Sequence, residues 1–291
     1  MRIKAFRAVG HDPIANLALE ESLLEGAADP VFLVYVNDPC VVVGRNQNPW
    51  AEVSPSSGLP ILRRASGGGT VYHDRGNLNW SFLLPRSAHD QAAELESIAS
   101  ALRGMGVGAE VGSRGGLFAR SGEGEPLKIG GTARRLCSTR VLHHGTLLVD
   151  ADLAALAASL GGVRTLESRA LPSVPSASTN VSCIVPGLGM EELVAALCEA
   201  LGAGAPANAA GEADPGLEPA ARARLASWEW TWGATPHFCV AADGPSEAVM
   251  EVRSGIVAGL RGRDSPALAA LLGQRFDFGT PERARKLLEK A

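Results

Sequence analysis

The chain has 291 residues, 46% of them hydrophobic and 20% charged, the balance of an ordinary globular protein with room for one large and one small folding unit. A formal net charge of −4 and a pI near 5.9 argue against a general nucleic-acid binder, and no apolar run approaches the ~20 residues of a membrane span. Five cysteines (Cys40, Cys137, Cys183, Cys198 and Cys239) lack CxxC spacing, which suits reduced thiols better than a disulfide frame or a zinc site. The leading MRIKAFRAVGHDP has no secretory apolar core, so the expected location is cytoplasmic.

Residues 1–26 read as a short strand and then a helix, with Asp12 as N-cap, Pro13 in the first turn and an apolar stripe of Ile14, Leu17, Ala18 and Leu24. Strand-like runs follow at 31–36, 40–44, 60–64, 69–73 and 78–85. A helix is predicted over about 90–104, closed by Gly104 and Gly106. A strand-rich stretch over 107–149 is interrupted by the glycine-rich run 113–125, and helices are predicted near 151–160 and 190–202. Strands in runs, rather than alternating with helices, predict an α+β fold: a large domain of mixed β-sheets flanked by helices. The Ala-, Gly- and Pro-rich stretch 201–224 reads as an interdomain boundary. It divides a domain at 1–225 from a small αβ domain at 226–291, with strands near 237–242 and 247–254 and short helices starting at Ser265-Pro266 and Thr280-Pro281. The tryptophans at 228, 230 and 232 are expected at the seam between the two.

Two segments carry chemistry. In RRASGGGTVYHDRGN (63–77), Gly67, Gly68 and Gly69 remove every Cβ where two strands meet, so backbone N–H groups can approach a ligand. Arg63 and Arg64 can donate to phosphate or carboxylate, Ser66 adds a hydroxyl, and His73 and Asn77 follow within reach of a nucleotide. The glycines alone would equally fit a hairpin turn with solvated arginines; the combination points to a nucleotide or acyl-adenylate site. In LKIGGTARRLCSTRVLHHGTLLVDADL (127–153), Lys128 stands at a strand end before Gly130 and Gly131. A lysine there can balance charge growing on an α-phosphate, with Arg134 and Arg135 nearby, although a surface lysine is the usual fate of that residue type. His143 and His144 fall on opposite faces of the next strand.

Together with DPIANLALEESLL, VVVGRNQNPWAEV and SVPSASTNVS, these motifs resemble the lipoate–protein ligase A family over nearly all of residues 1–185, and the tail from Ser227 resembles, more weakly, its accessory domain. The resemblance implies ATP-dependent activation of lipoate to lipoyl-AMP, followed by transfer to a lysine of an apo lipoyl domain. The acceptor would be a 2-oxoacid dehydrogenase E2, a glycine-cleavage H protein or a similar protein. Magnesium is expected with ATP, its ligands unassigned, and a monomer that binds neither nucleic acid nor membrane. The resemblance makes Lys128 catalytic. It places Arg64, Ser66, Gly67, Gly68, Gly69, Val71, His73, Asn77, Gly131, Thr132, Ala133 and Arg135 around the adenylate, and Leu17, Arg45, His144 and Gly145 around the lipoyl tail.

Two departures stand out. The family's Asn-Asp pair before the lysine is absent from SRGGLF (113–118), and its Lys-Ile-Ser-Gly reads Lys-Ile-Gly-Gly. Octanoyl or lipoyl transfer through a cysteine thioester is the nearest alternative, with Cys137 and Cys183 as candidates that are expected to be core or partly buried. A non-catalytic lipoate- or adenylate-binding module is the alternative from another class. A biotin ligase would require a GRGR-type signature that GRNQN (44–48) does not supply.

Overall fold

The computed structural model describes residues 3–120, 122, 124–242, 248–262 and 265–290. Ser121 and Glu123 of the 113–125 run, and Glu247 at the head of the predicted 247–254 strand, lie outside the described residues.

Strand β1 (Lys4–Arg7) leads through Asp12 into helix α1 (Pro13–Gly26). Asp12 Oδ1 accepts from the N–H groups of Ile14 and Ala15 at 2.9 and 3.3 Å, forming the cap expected from the sequence, a contact worth about 1 kcal/mol. Next come β2 (Val31–Tyr35), β3 (Cys40–Val43), the single turn α2 (Pro49–Glu52), β4 (Ile61–Arg63), β5 (Val71–His73) and β6 (Asn77–Pro85). Helix α3 (Gln91–Gly104) ends before Gly106, whose φ of +85° only glycine adopts without strain. The strand-rich stretch resolves into β7 (Ala109–Val111), β8 (Leu117–Ala119), β9 (Leu127–Gly130), β10 (Thr132–Leu136) and β11 (Arg140–Leu148). Then follow α4 (Leu153–Ser159), β12 (Glu167–Ser168), α5 (Val181–Ile184), α6 (Met190–Ala200), β13 (Ala207–Asn208) and α7 (Leu217–Ala226). The chain closes with a π-helical turn (Glu229–Gly233), β14 (Phe238–Ala241), β15 (Val249–Arg253), β16 (Ile256–Arg261), a 3-10 turn and α8 (Thr280–Leu288).

The central sheet runs β10-β11-β6-β2-β1-β13, antiparallel except for the β2-β1 and β1-β13 pairs. Strict alternation gives it two apolar faces. Phe32, Val34, Trp80 and Phe82 pack against Ile98, Leu102, Val194 and Leu197 of α3 and α6. Leu33, Tyr35, Leu83 and Leu142 face Leu23 and Leu24 of α1. Small sheets β4-β3-β5 and β7-β8-β9 abut this layer, and an antiparallel sheet β12-β14-β15-β16 holds the C-terminal core.

The 201–224 stretch is not a bare linker. Within it β13 extends the central sheet beside β1, and α7 packs along α1 through Ala221 and Leu225. Alanine favours helix wherever a few larger residues anchor it, and the composition could not show those distant partners. Strand β16 was likewise not anticipated; its half-exposed IVAGLR sequence shows no apolar–polar alternation. The Trp232 ring is 4.8 Å from that of Trp50, which also packs on Phe238 and Phe276.

Candidate active site

A cavity of about 760 Å³ opens between α1, the glycine-rich β4-β5 turn, the β7-β8 hairpin, β9-β11 and a strap over 171–176. Its lining brings together Leu17, Arg64, Gly68, Gly69, Val71, His73, Lys128, Gly131, Thr132, Ala133, His144 and Gly145 from segments far apart in sequence. Ser66, Gly67, Asn77, Arg45 and Arg135 are not part of the lining. Ser66 stands one layer behind it. Asn77 is fully buried at the start of β6, Arg45 lies over the Trp230 ring, and Arg135 reaches Glu21 and Glu25 at 3.9 and 3.8 Å.

Close approach explains the glycines. A Cβ on Gly44 would sit 2.1 Å from the Gly68 carbonyl oxygen, and one on Gly145 would sit 2.5 Å from the Trp80 ring. Gly68 itself has φ +85°. At 130, where the resembled family carries serine, a Cβ would be 2.1 Å from the Thr146 carbonyl, so β9 lies against β11 in a way that serine would prevent.

Lys128 is held by its backbone and free at its tip. Its residue pairs with Phe118 across the β8-β9 ladder; on the other side its N–H donates to Ala177 O and its carbonyl accepts from Thr179 N–H, at 2.9 and 3.0 Å. The ammonium has no hydrogen-bond or ion-pair partner among the described residues, and burial lowers its pKa below the ordinary lysine value.

The two arginines of the glycine-rich segment are engaged by the protein itself. Arg63, expected to face a ligand, is fully buried and donates to the carbonyls of Gly44, Arg45, Gln47, Trp230 and Thr231 and to Thr235 Oγ1. Trp230 Nε1 returns a bond to Arg63 O at 2.6 Å. Arg64 lines the cavity, but its donors go to Val42 O, Gly67 O, Gly69 O and Ser66 Oγ, bracing the glycine turn from within. Burial lowers both guanidinium pKa values to about 10, which leaves them charged at neutral pH.

His144 and His143 do point to opposite faces. Fully buried Glu20 on α1 accepts from His144 Nδ1 at 3.0 Å, Ser81 Oγ at 2.5 Å and Tyr35 Oη at 3.2 Å. Burial pushes the Glu20 carboxyl up, but His144 and these donors outweigh it and hold its pKa below the ordinary value. His144 Nε2 then accepts from the Ser66 hydroxyl at 2.6 Å, so both ring nitrogens are satisfied and the ring meets the cavity as an apolar wall. His73 differs. Asn37 Nδ2 donates to its Nδ1 at 2.9 Å, leaving the proton on a buried Nε2 without a partner in a ring that lines the cavity. Burial, then Arg64 and His144, push its pKa down to about 3, so the ring is neutral.

The strap over 171–176, flagged in sequence only as a loose motif, is tied by Leu171 N–H, which donates to Asn46 O at 3.0 Å, and above all by Ser173. Ser173 Oγ bonds Gln47 Nε2, Thr70 N–H and Glu52, and Ser173 N–H donates to Glu52 Oε1 at 3.1 Å. Glu20, Glu52, Gln47 and Ser173 were missed because each acts through a partner on a different element. None of the five cysteines lines the cavity; Cys183 is exposed on α5, contrary to expectation, because that short helix turns it outward, and Cys137 sits in the β10-β11 turn.

The sequence matches the lipoyl protein ligase A/B catalytic domain over residues 12–202. The chain belongs to that family. Solved structures agree on the fold at low identity. One is Plasmodium falciparum LipL1 in complex with lipoate (TM-score 0.68, 19% identity, 99% of this chain and 94% of that one). A lipoate-protein ligase A bound with ATP gives 0.62 and 23%, covering 79% of this chain and 97% of that one. The putative lipoate protein ligase Ta0514 of T. acidophilum with lipoic acid gives 0.60 and 23%, covering 79% and 98%. In this family member, no described helix is long and apolar enough to cross a membrane.

Proposed function

We propose that the protein is an ATP-dependent lipoate–protein ligase, working through residues 1–225 with 226–291 as an accessory part. The observation that carries this reading is the unpartnered, partly desolvated ammonium of Lys128 in a cavity whose walls offer glycine backbone on one side and an apolar surface on the other. Such a charge favours anionic oxygens, and here it can hold the lipoate carboxylate beside the α-phosphate of ATP. The carboxylate attacks that phosphorus and pyrophosphate leaves. The amine of an acceptor lysine then attacks the acyl carbon, and AMP leaves.

In this reading Gly68, Gly69, Val71, His73 and Gly131–Ala133 face the nucleotide, with the His73 Nε2–H as a neutral donor, and Gly67 supports the turn by accepting from Arg64. Leu17, His144 and Gly145 flank the acyl tail; Ser66 acts through His144, and Arg64 through the glycine turn. Asn77, Arg45 and Arg135 support these walls from outside. The lipoate- and ATP-bound relatives support both substrates, and a bi-partite T. acidophilum ligase described with its E2 lipoyl domain supports a lipoyl domain as acceptor. We assign the enzyme to the cytoplasm as a monomer.

No carboxylate lines the cavity among the described residues, which does not fit a protein-held magnesium ion. Magnesium enters this reading only as a counter-ion carried by ATP. The absence of cysteine from the lining favours the ligase over a thioester transferase. The test is mass spectrometry of an apo lipoyl domain incubated with enzyme and lipoate, with and without ATP. An ATP-dependent gain of one lipoyl group, reduced at least ~100-fold in Lys128→Ala, is expected from the loss of a transition-state charge partner. ATP-independent transfer from an octanoyl carrier protein, lost in a Cys137 or Cys183 variant, would replace this reading with the transferase.

A further inference from the structure

The charges around the cavity are one-sided. Arg64, Arg114 and Lys128 are the charged groups of its described lining, and all three are cations. Arg64 is engaged internally. That leaves Lys128 and Arg114, neither with a hydrogen-bond or ion-pair partner among the described residues. The adjoining pocket contributes one acid, Glu52, whose oxygens already accept from Ser173 and Thr70. Magnesium held by a protein ordinarily needs one or two carboxylates beside the substrate phosphates. This lining has two unpartnered cations and, among the described residues, no carboxylate.

The turn that carries Arg114 is held by its own backbone and is tight at two glycines. Between β7 and β8, Gly112 N–H donates to Gly116 O and Gly115 N–H to Gly112 O, each at 2.8 Å. Gly115 has φ +80°, and its carbonyl accepts from Thr132 Oγ1 at 2.8 Å, which fixes the hairpin to the strand after Gly131. A Cβ at 115 would come within 2.9 Å of Thr132 Oγ1, and one at 116 within 3.0 Å of the Phe118 ring. A side chain at 115 would have to displace the Thr132 hydroxyl, and one at 116 would crowd the Phe118 ring, whereas Arg114 projects at the exposed rim of the cavity.

We propose that Arg114 is a second catalytic residue, whose guanidinium binds the β- and γ-phosphates of ATP and takes the charge that a carboxylate-held metal would otherwise neutralise. The proposal rests on the ligase reading. As the lipoate oxygen forms its bond to the α-phosphorus, the bond from that phosphorus to the bridging oxygen of the β-phosphate breaks. The electron pair leaves on pyrophosphate, where Arg114 meets the new charge with two parallel N–H donors, while Lys128 stays with the α-phosphate and the carboxylate.

The test uses the full chain and two probes. The first is inorganic tripolyphosphate, titrated by calorimetry in EDTA. Wild type binds, Arg114→Ala binds at least ~10-fold more weakly, and Arg114→Lys recovers part of the loss because it keeps the charge without the fork. The second is lipoate-dependent pyrophosphate release from ATP, where Arg114→Ala lowers kcat/KM by ~100-fold or more. Tripolyphosphate affinity in Arg114→Ala within twofold of wild type, or wild-type binding that vanishes in EDTA, overturns the proposal. Failure of wild type to release pyrophosphate overturns the ligase reading instead, and the tripolyphosphate titration still decides the role of Arg114.

Discussion

His143 and His144 are neighbours on one strand, and each gives its Nδ1 to a buried glutamate from a helix, yet only one of them belongs to the cavity. On one face, Glu20 of α1 holds His144, whose other nitrogen is closed by Ser66. On the other, Glu94 of α3 accepts from His143 at 2.5 Å and from His89 at 2.8 Å, while His143 Nε2 is buried without a partner beside Trp80 and Phe82. The His89-Glu94-His143 group has the ligand types of a metal site, but both oxygens of its carboxylate already accept hydrogen bonds, from the two imidazoles and the Asp90 N–H. The same carboxylate–imidazole pair thus locks a core on one side and shapes a cavity wall on the other. Its consequence depends on what lies past the ring.

The comparison breaks most visibly on removal of either acid. Glu20→Ala and Glu94→Ala should each cost about 3–5 kcal/mol in denaturant midpoints, because each strands buried donors. Only Glu20→Ala should also raise the KM for lipoate, measured at matched folded fraction; an equal KM rise in Glu94→Ala would mean the two faces are not separate. Next in size is Gly145→Ala. Its methyl would meet the Trp80 ring, which packs on the His143 face, and overpacking of this kind costs about 1–3 kcal/mol, read as a fall in melting temperature.

The last effect concerns pH and is read as a slope, small at each step. The folded chain keeps His73 neutral down to about 3, whereas the unfolded chain protonates it near 6.5. The unfolded state therefore binds more protons in that window, and His73 makes stability fall as pH drops through it, by up to about 1.4 kcal/mol per unit. His73→Gln should flatten the stability profile between those pH values. An unchanged slope would assign the acid sensitivity to other groups.

Features set by neighbouring residues were readable beforehand. Asp12 and Pro13 announce α1, the 67–69 glycines announce the turn at the cavity mouth, and period-two alternation separates His143 from His144. Features set across long separations were not. Arg63 looks identical to Arg64 in the sequence, and its fate depends on carbonyls 167 and 168 residues away. The strap latch joins Ser173 to Glu52 across 121 residues, and α7 becomes a helix because α1 offers it a surface. Departures from the family pattern were visible as letters. Their meaning at 115, 116 and 130 emerged only when the space around each missing Cβ was known.

The Arg63 arrangement also bears on the order in which the molecule comes into being. Half of the acceptors for this buried cation belong to Trp230, Thr231 and Thr235, residues made after more than three quarters of the chain has been synthesised. Until they arrive, the glycine-rich turn surrounds a guanidinium whose donors are only partly matched, an expensive state in a dry interior. The cavity mouth is thus among the last parts to set, and a nascent chain stopped before residue 230 would have every strand of the central sheet with its mouth still unformed.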